Sequence, residues 1–139
     1  MTKIFLDTNI WLRFLLQDNQ QAKHCVDLIK AIESGWFKAY LSNIVLLEIN
    51  YVLHKIYKIE KKQVAEDIKT LLKTRDITII EQTNSKLALN YYSRTGIKYS
   101  DCLIASQINK NLILCTYDQD FTSFKNLSIK TPDQLLKLI

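Results

Sequence analysis

The stretch KIFLDTNIWLRFLLQ, residues 3–17, changes its period in the middle. Ile4, Phe5 and Leu6 form a short apolar run suited to a buried parallel strand, whereas Ile10, Trp11, Phe14 and Leu15 follow a helical spacing. The chain therefore passes from strand to helix through Asp7-Thr8-Asn9 with no glycine to ease the turn. Taken alone, Asp7 reads as a cap for the orphan amides of the helix it precedes. It also stands just past the carboxyl end of a strand, which is where open α/β sheets gather their ligands.

The same alternation continues along the chain. Short β-rich runs at Ile4–Leu6, Tyr40–Leu41, Ile77–Ile80, Leu112–Cys115 and Ser128–Ile129 are separated by helical patterns near 20–34, 43–58, 60–74, 83–95 and 100–110. A last helix is expected over 132–138, opened by Pro132. Strands separated by whole helices cannot be hairpins, so a parallel sheet covered by helices on both faces is expected. The 139 residues suit a single domain, 1–139, with no internal boundary.

Composition narrows the function classes. The only glycines, Gly35 and Gly96, each follow a helical pattern, where a left-handed C-terminal cap wants them. No glycine-rich loop remains for a dinucleotide fingerprint or a phosphate-binding P-loop. Cys25, Cys102 and Cys115 show no paired metal spacing and have only His24 and His54 to help them, which argues against zinc. Cys115 is expected to be a small apolar residue in a buried strand. The apolar runs are too short to span a bilayer, and Asp7 and Arg13 interrupt any secretory leader, so a cytoplasmic protein is expected. Net charge is +5, but 16 of the 19 basic residues are lysine, so charge alone gives modest weight to a polyanion partner.

Several carboxylates fall where a packed fold should not tolerate them unpaired. Glu48 is the only acid in NIVLLEINYVLHKIY, and Ile44, Val45, Tyr51 and Val52 mark its face as apolar. Helical side chains lean toward the N-terminus, so Glu48 should reach toward the end of the second strand. Asp101 sits in KYSDCLIASQINKN on the face of Ile104, Ala105 and Ile108, and Asp118 follows the fourth strand in LILCTYDQDF. Each has a local explanation: Asp101 answers a helix dipole, Asp118 starts a turn, and Asp120 caps a short helix over 121–125. Their convergence is harder to explain locally. No lysine, arginine or histidine was expected to pair with them, and clustered carboxylates repel without a cation. An all-oxygen cluster selects a hard ion, Mg²⁺ or Mn²⁺. Asn9 and Thr116, two residues from Asp7 and Asp118, are placed to hydrogen-bond the ligands.

These residues resemble the PIN-domain ribonucleases, and among them the VapC-type toxins of bacterial toxin–antitoxin pairs. FLDTNIWLRFLLQD is similar to the family's opening, LLEINYVL to the segment with its second acid, YSDCLIASQ to the third and LCTYDQDF to the fourth, in order across nearly the whole chain. The resemblance implies a three-layer α/β/α fold with a five-stranded, mainly parallel sheet in the order 3-2-1-4-5. It implies that Asp7, Glu48, Asp101 and Asp118 form a catalytic metal cluster, with Asp120 auxiliary and Asn9 and Thr116 in support. Either aspartate of the last block can contact metal; Asp118 is preferred because it directly follows the strand.

The activity implied is Mg²⁺- or Mn²⁺-dependent endoribonuclease cleavage by an activated water, leaving a 5′-phosphate and a 3′-hydroxyl. The implied partners are an RNA substrate such as transfer or ribosomal RNA and a cognate antitoxin that places a basic side chain in the acidic groove. Apolar helices at 43–58 and 83–95 suggest a homodimer. Setting aside the five acids leaves nine acidic residues against 19 basic ones, a better background for RNA, with Lys3, Lys38 and Lys98 as candidate phosphate contacts. Two rivals remain: a non-catalytic RNA-binding or interaction domain, and a metal-dependent phosphatase of the haloacid-dehalogenase type. The latter needs an aspartate where this chain has Asn9.

Overall fold

A computed structural model describes residues 1–139. Five strands, β1 (Thr2–Leu6), β2 (Phe37–Leu41), β3 (Ile77–Ile79), β4 (Ile113–Cys115) and β5 (Ile129–Lys130), form one sheet in the order β3-β2-β1-β4-β5. All four pairings are parallel, as expected from the intervening helices. Ile4, Phe5 and Leu6 are fully buried in succession, which requires both faces of the central strand to be covered.

Seven α-helices do the covering: α1 (Thr8–Leu16), α2 (Ala22–Glu33), α3 (Asn43–Tyr51), α4 (Lys61–Leu72), α5 (Ser85–Thr95), α6 (Tyr99–Ala105) and α7 (Pro132–Leu136). Helix α2 packs on α1 and α7, while α6 packs on α5 and α3. A 30-residue hydrophobic cluster runs through sheet and helices, with Trp11, Phe5, Phe37 and Phe121 its largest members. No helix is long and apolar enough to cross a membrane. All three cysteines are buried and unbridged. Cys115 lies inside β4, and burial pushes its thiol well above the ordinary value.

Several boundaries differ from expectation. The second strand begins at Phe37 rather than Tyr40, because Lys38 and its neighbours alternate exposed and buried instead of forming an apolar run. The helix expected over 43–58 is α-helical only to Tyr51 and continues as a π-helical turn over Val52–Ile56, closed by Tyr57 N–H donating to the Val52 carbonyl at 3.0 Å. The helix expected over 100–110 ends at Ala105. The short helix after the fourth strand is a 3₁₀ turn over Gln119–Ser123, and Asp118, not Asp120, is its cap. Gly35, just past α2, and Gly96, the C-cap of α5, both adopt positive φ as read from the sequence.

Strand order reverses between β1 and β4. From β1 the chain walks outward to β2 and β3, and then returns to place β4 on the other side of β1. Leu6 pairs with Cys115, and the Asp7 N–H donates to the Cys115 carbonyl at 3.0 Å. Residues 7 and 116–118 therefore emerge side by side at the topological switch point.

Candidate metal centre

Asp7 is held from three sides. The Thr8 N–H donates to its Oδ1 at 2.7 Å, while the Thr116 hydroxyl and the Asn9 side-chain amide donate to Oδ2 at 2.7 and 3.1 Å. It caps α1, as its position alone suggested. Thr116 joins the two strand ends: its hydroxyl donates to Asp7 and accepts from the Asn9 amide at 3.0 Å and the Asp118 N–H at 2.9 Å. Asn9 closes the network by accepting the Tyr117 N–H at 3.2 Å. Burial pushes the Asp7 carboxyl up to about 6, against the lowering effect of the Thr116 and Thr8 hydrogen bonds.

Glu48 is half-buried rather than deeply inward, and Tyr51 on its flank is exposed. Its expected reach toward the end of β2 is not what is seen. Its carboxylate instead accepts the Thr8 hydroxyl at 2.8 Å, next to the end of β1.

Asp101 enters from the first turn of α6 and is 2% exposed. Burial pushes its carboxyl up to about 7; Lys98 opposes the rise, while Asp7, Asp118 and Glu48 add to it. Its Oδ2 is buried with no hydrogen-bond partner. Such an orphaned acceptor costs about 1–3 kcal/mol or more when charged. It therefore marks the place where the chain's own donors are insufficient.

One pocket is lined by Asp7, Glu48, Asp101 and Asp118, with Asn9 and Lys98 also in its wall. Asp120 is exposed and outside that lining, yet its carboxylate belongs to a tighter group. One oxygen each from Asp101, Asp118 and Asp120 lie within 4.8 Å of one another. The Asp120 N–H donates to Asp118 Oδ1 at 2.9 Å, which orients the Asp118 carboxyl group. Thus the fold brings together all four sequence-selected acids, the auxiliary Asp120, and both supporting residues.

The expectation that no cation accompanies these acids is overturned. Lys98 Nζ lies 3.5 Å from Glu48 Oε2 and 4.0 Å from Asp101 Oδ1. Partial burial pulls its ammonium pKa down, but Asp101, Glu48 and Asp7 outweigh that and hold it above the ordinary lysine value. The signal was the spacing: Lys98 stands three residues before Asp101, an i,i+3 pair at a helix start. Thr8, the donor to Glu48, was missed as a site residue because a threonine inside a turn carries no distinguishing pattern.

The donor set fits a hard divalent cation. It offers carboxylates and neutral oxygens, no thiol or imidazole, and one buried oxygen lacking any donor. A single ammonium against four carboxylates leaves the pocket short of positive charge.

An all-parallel sheet carrying an acidic pocket at its switch point defines a class of α/β proteins. Residues 4–127 match the family model of the PIN domain, and the chain belongs to that family, whose members are nucleases. The chain is similar in fold to VapBC2 from Rickettsia felis bound to a DNA fragment from its promoter, at 22% identity and a TM-score of 0.67, covering 94% of this chain and 98% of that one. It is similar to DNA-bound VapBC from Salmonella typhimurium at 16% identity and a TM-score of 0.69, with 95% and 99% covered. FitAcB from Neisseria gonorrhoeae gives 20% identity, a TM-score of 0.60, and 93% and 97% covered. At such identities the likeness is one of fold. No curated protein matches the chain in sequence.

Proposed function

We propose that this chain is a Mg²⁺- or Mn²⁺-dependent endoribonuclease and the toxin of a type II toxin–antitoxin pair. The observation that carries the metal-dependent part is the buried, donorless Oδ2 of Asp101, a residue whose carboxylate groups with those of Asp118 and Asp120. Membership of a nuclease family supports phosphodiester hydrolysis, and the VapBC neighbours support an antitoxin partner. The basic background outside the acids favours a polyanionic substrate.

Asp7, Glu48, Asp101 and Asp118 would hold the cation, with Asp120 available from the rim. When bound, the cation would supply Lewis-acid polarisation of the scissile phosphate and a water of lowered pKa. The chain's own part is preorganisation. Thr116, Asn9 and the Thr8 amide fix both oxygens of Asp7, so its lone pairs meet the ligand in one orientation. Asp120 N–H and Thr116 together set Asp118. Thr8 ties Glu48 to the β1 end, so that the α3 carboxylate tracks the sheet instead of its own helix.

Incubating the purified chain with a structured transfer RNA tests the reading. Cleavage in Mn²⁺ that stops in EDTA, and that falls at least a hundredfold in Asp7→Asn and Asp101→Asn, is the expected result on the scale of lost metal ligation. Equal cutting by either variant defeats the cluster. Binding of RNA without cutting in any metal favours the non-catalytic alternative.

A further inference from the structure

Lys98 has a place in the pocket that the proposed function leaves unexplained. It is the N-cap residue of α6, and it is the only basic side chain in the pocket wall. Its ammonium lies 3.5 Å from Glu48 and 4.0 Å from Asp101, too far for well-formed charge-assisted hydrogen bonds. The contact is Coulombic, and the side chain is 63% exposed, so the ammonium can leave without unpacking any apolar surface. Asp101 Oδ2 stays without a donor even with Lys98 beside it.

We infer that Lys98 is a built-in counter-cation that competes with the divalent ion for Glu48 and Asp101 and, once displaced, positions the RNA phosphate at the pocket mouth. The inference rests on the metal-centre reading above. A divalent ion held by Glu48 and Asp101 would draw on the two carboxylates that Lys98 approaches, and like charges at such separations repel. Four carboxylates and a doubly charged ion leave the pocket negative, a poor host for a phosphodiester anion. The ammonium released from Glu48 supplies the missing positive charge at the mouth. Lysine suits this exchange better than arginine, being a compact charge on a flexible stem rather than a rigid fork.

Calorimetric titration of Mn²⁺ into the full chain, alongside Lys98→Met and Lys98→Arg, tests the competition, with thermal melts showing that each variant folds. Lys98→Met is expected to bind Mn²⁺ about tenfold tighter and Lys98→Arg to stay near the parent. At saturating Mn²⁺, Lys98→Met should raise KM for RNA about tenfold with kcat changed less than about threefold, and Lys98→Arg should recover most of the loss. Unchanged or weaker Mn²⁺ binding by folded Lys98→Met overturns the competition, and an unchanged KM overturns the positioning role. If neither parent nor variant binds Mn²⁺, the metal-centre reading fails and takes this inference with it. Equal binding by both sinks the inference alone.

Discussion

At the residue scale, Thr116 has more influence than its size suggests. Its single hydroxyl serves Asp7, Asn9 and the Asp118 amide at once, and it is 2% exposed. Thr116→Val keeps the shape and deletes the network. It should cost about 1–3 kcal/mol in urea unfolding, because the partners stay buried. Metal affinity should fall about tenfold or more, since the orientation of two ligands is lost together. A variant as stable as the parent would show the network to be slack. The pH dependence follows from the same pocket. Asp7 and Asp101 titrate higher in the fold than in the unfolded chain, so the folded protein holds these protons more tightly. Their contribution is fully present below about pH 4 and is lost as pH rises through about 6 for Asp7 and about 7 for Asp101. For Asp7 alone the difference is worth about 3 kcal/mol. Melts in EDTA at pH 5 and pH 8 should show the parent losing more stability over that interval than Asp7→Asn. A parallel response of the two proteins would contradict the shift. Lys98 was legible only as a candidate phosphate contact, and its pairing with Glu48 and Asp101 was not. Acids were legible because they broke apolar faces, whereas a lysine among 16 breaks nothing.

At the element scale, most of the architecture was legible because the period changes at Asp7, and again at each later strand, are abrupt. What escaped was structure without a period of its own. The π-helical turn at Val52–Ile56 differs from an α-helix by one hydrogen-bond step, and its side chains still look helical in sequence. It begins at a residue lining the acidic pocket, a common location for such turns. The start of β2 was hidden by Lys38, and the end of α6 by Ile108, which stays buried beyond the helix and continues its apolar pattern. Gly96 offers a test of how elements aim side chains. At φ +70 it turns the chain from α5 toward Lys98, and its N–H donates to the Tyr92 carbonyl at 3.0 Å. A methyl group added there meets nothing within 4 Å, so Gly96→Ala should cost only the left-handed conformation, about 1–2 kcal/mol. Equilibrium unfolding measures it; a loss well above that range would mean that the turn reorganises.

At the scale of the whole molecule, the chain joins a basic exterior to an acidic pocket. Under the proposed function, charge outside the pocket would gather the substrate and charge inside it the cation. RNA affinity should therefore fall steeply as salt rises, measurable by titration at 50 and 200 mM. A flat salt response would remove the polyanion argument. Leu47 and Tyr51 on α3 and Leu89 and Tyr92 on α5 stand exposed. For the self-association expected of these helices, light scattering should give twice the chain mass, and Leu47→Lys or Leu89→Lys should return it to one. A monomeric parent at high concentration would defeat that expectation.

The bond from the Asp7 amide to the Cys115 carbonyl makes the floor of the pocket part of the central strand pairing. The pocket floor therefore shares the lifetime of the sheet. In hydrogen exchange the amide of Asp7 should be among the slowest in the chain, because its bond to the Cys115 carbonyl opens only when β1 and β4 separate. Fraying of the outer helices would leave this floor formed, and a molecule worn at its edges would still carry the geometry at its centre.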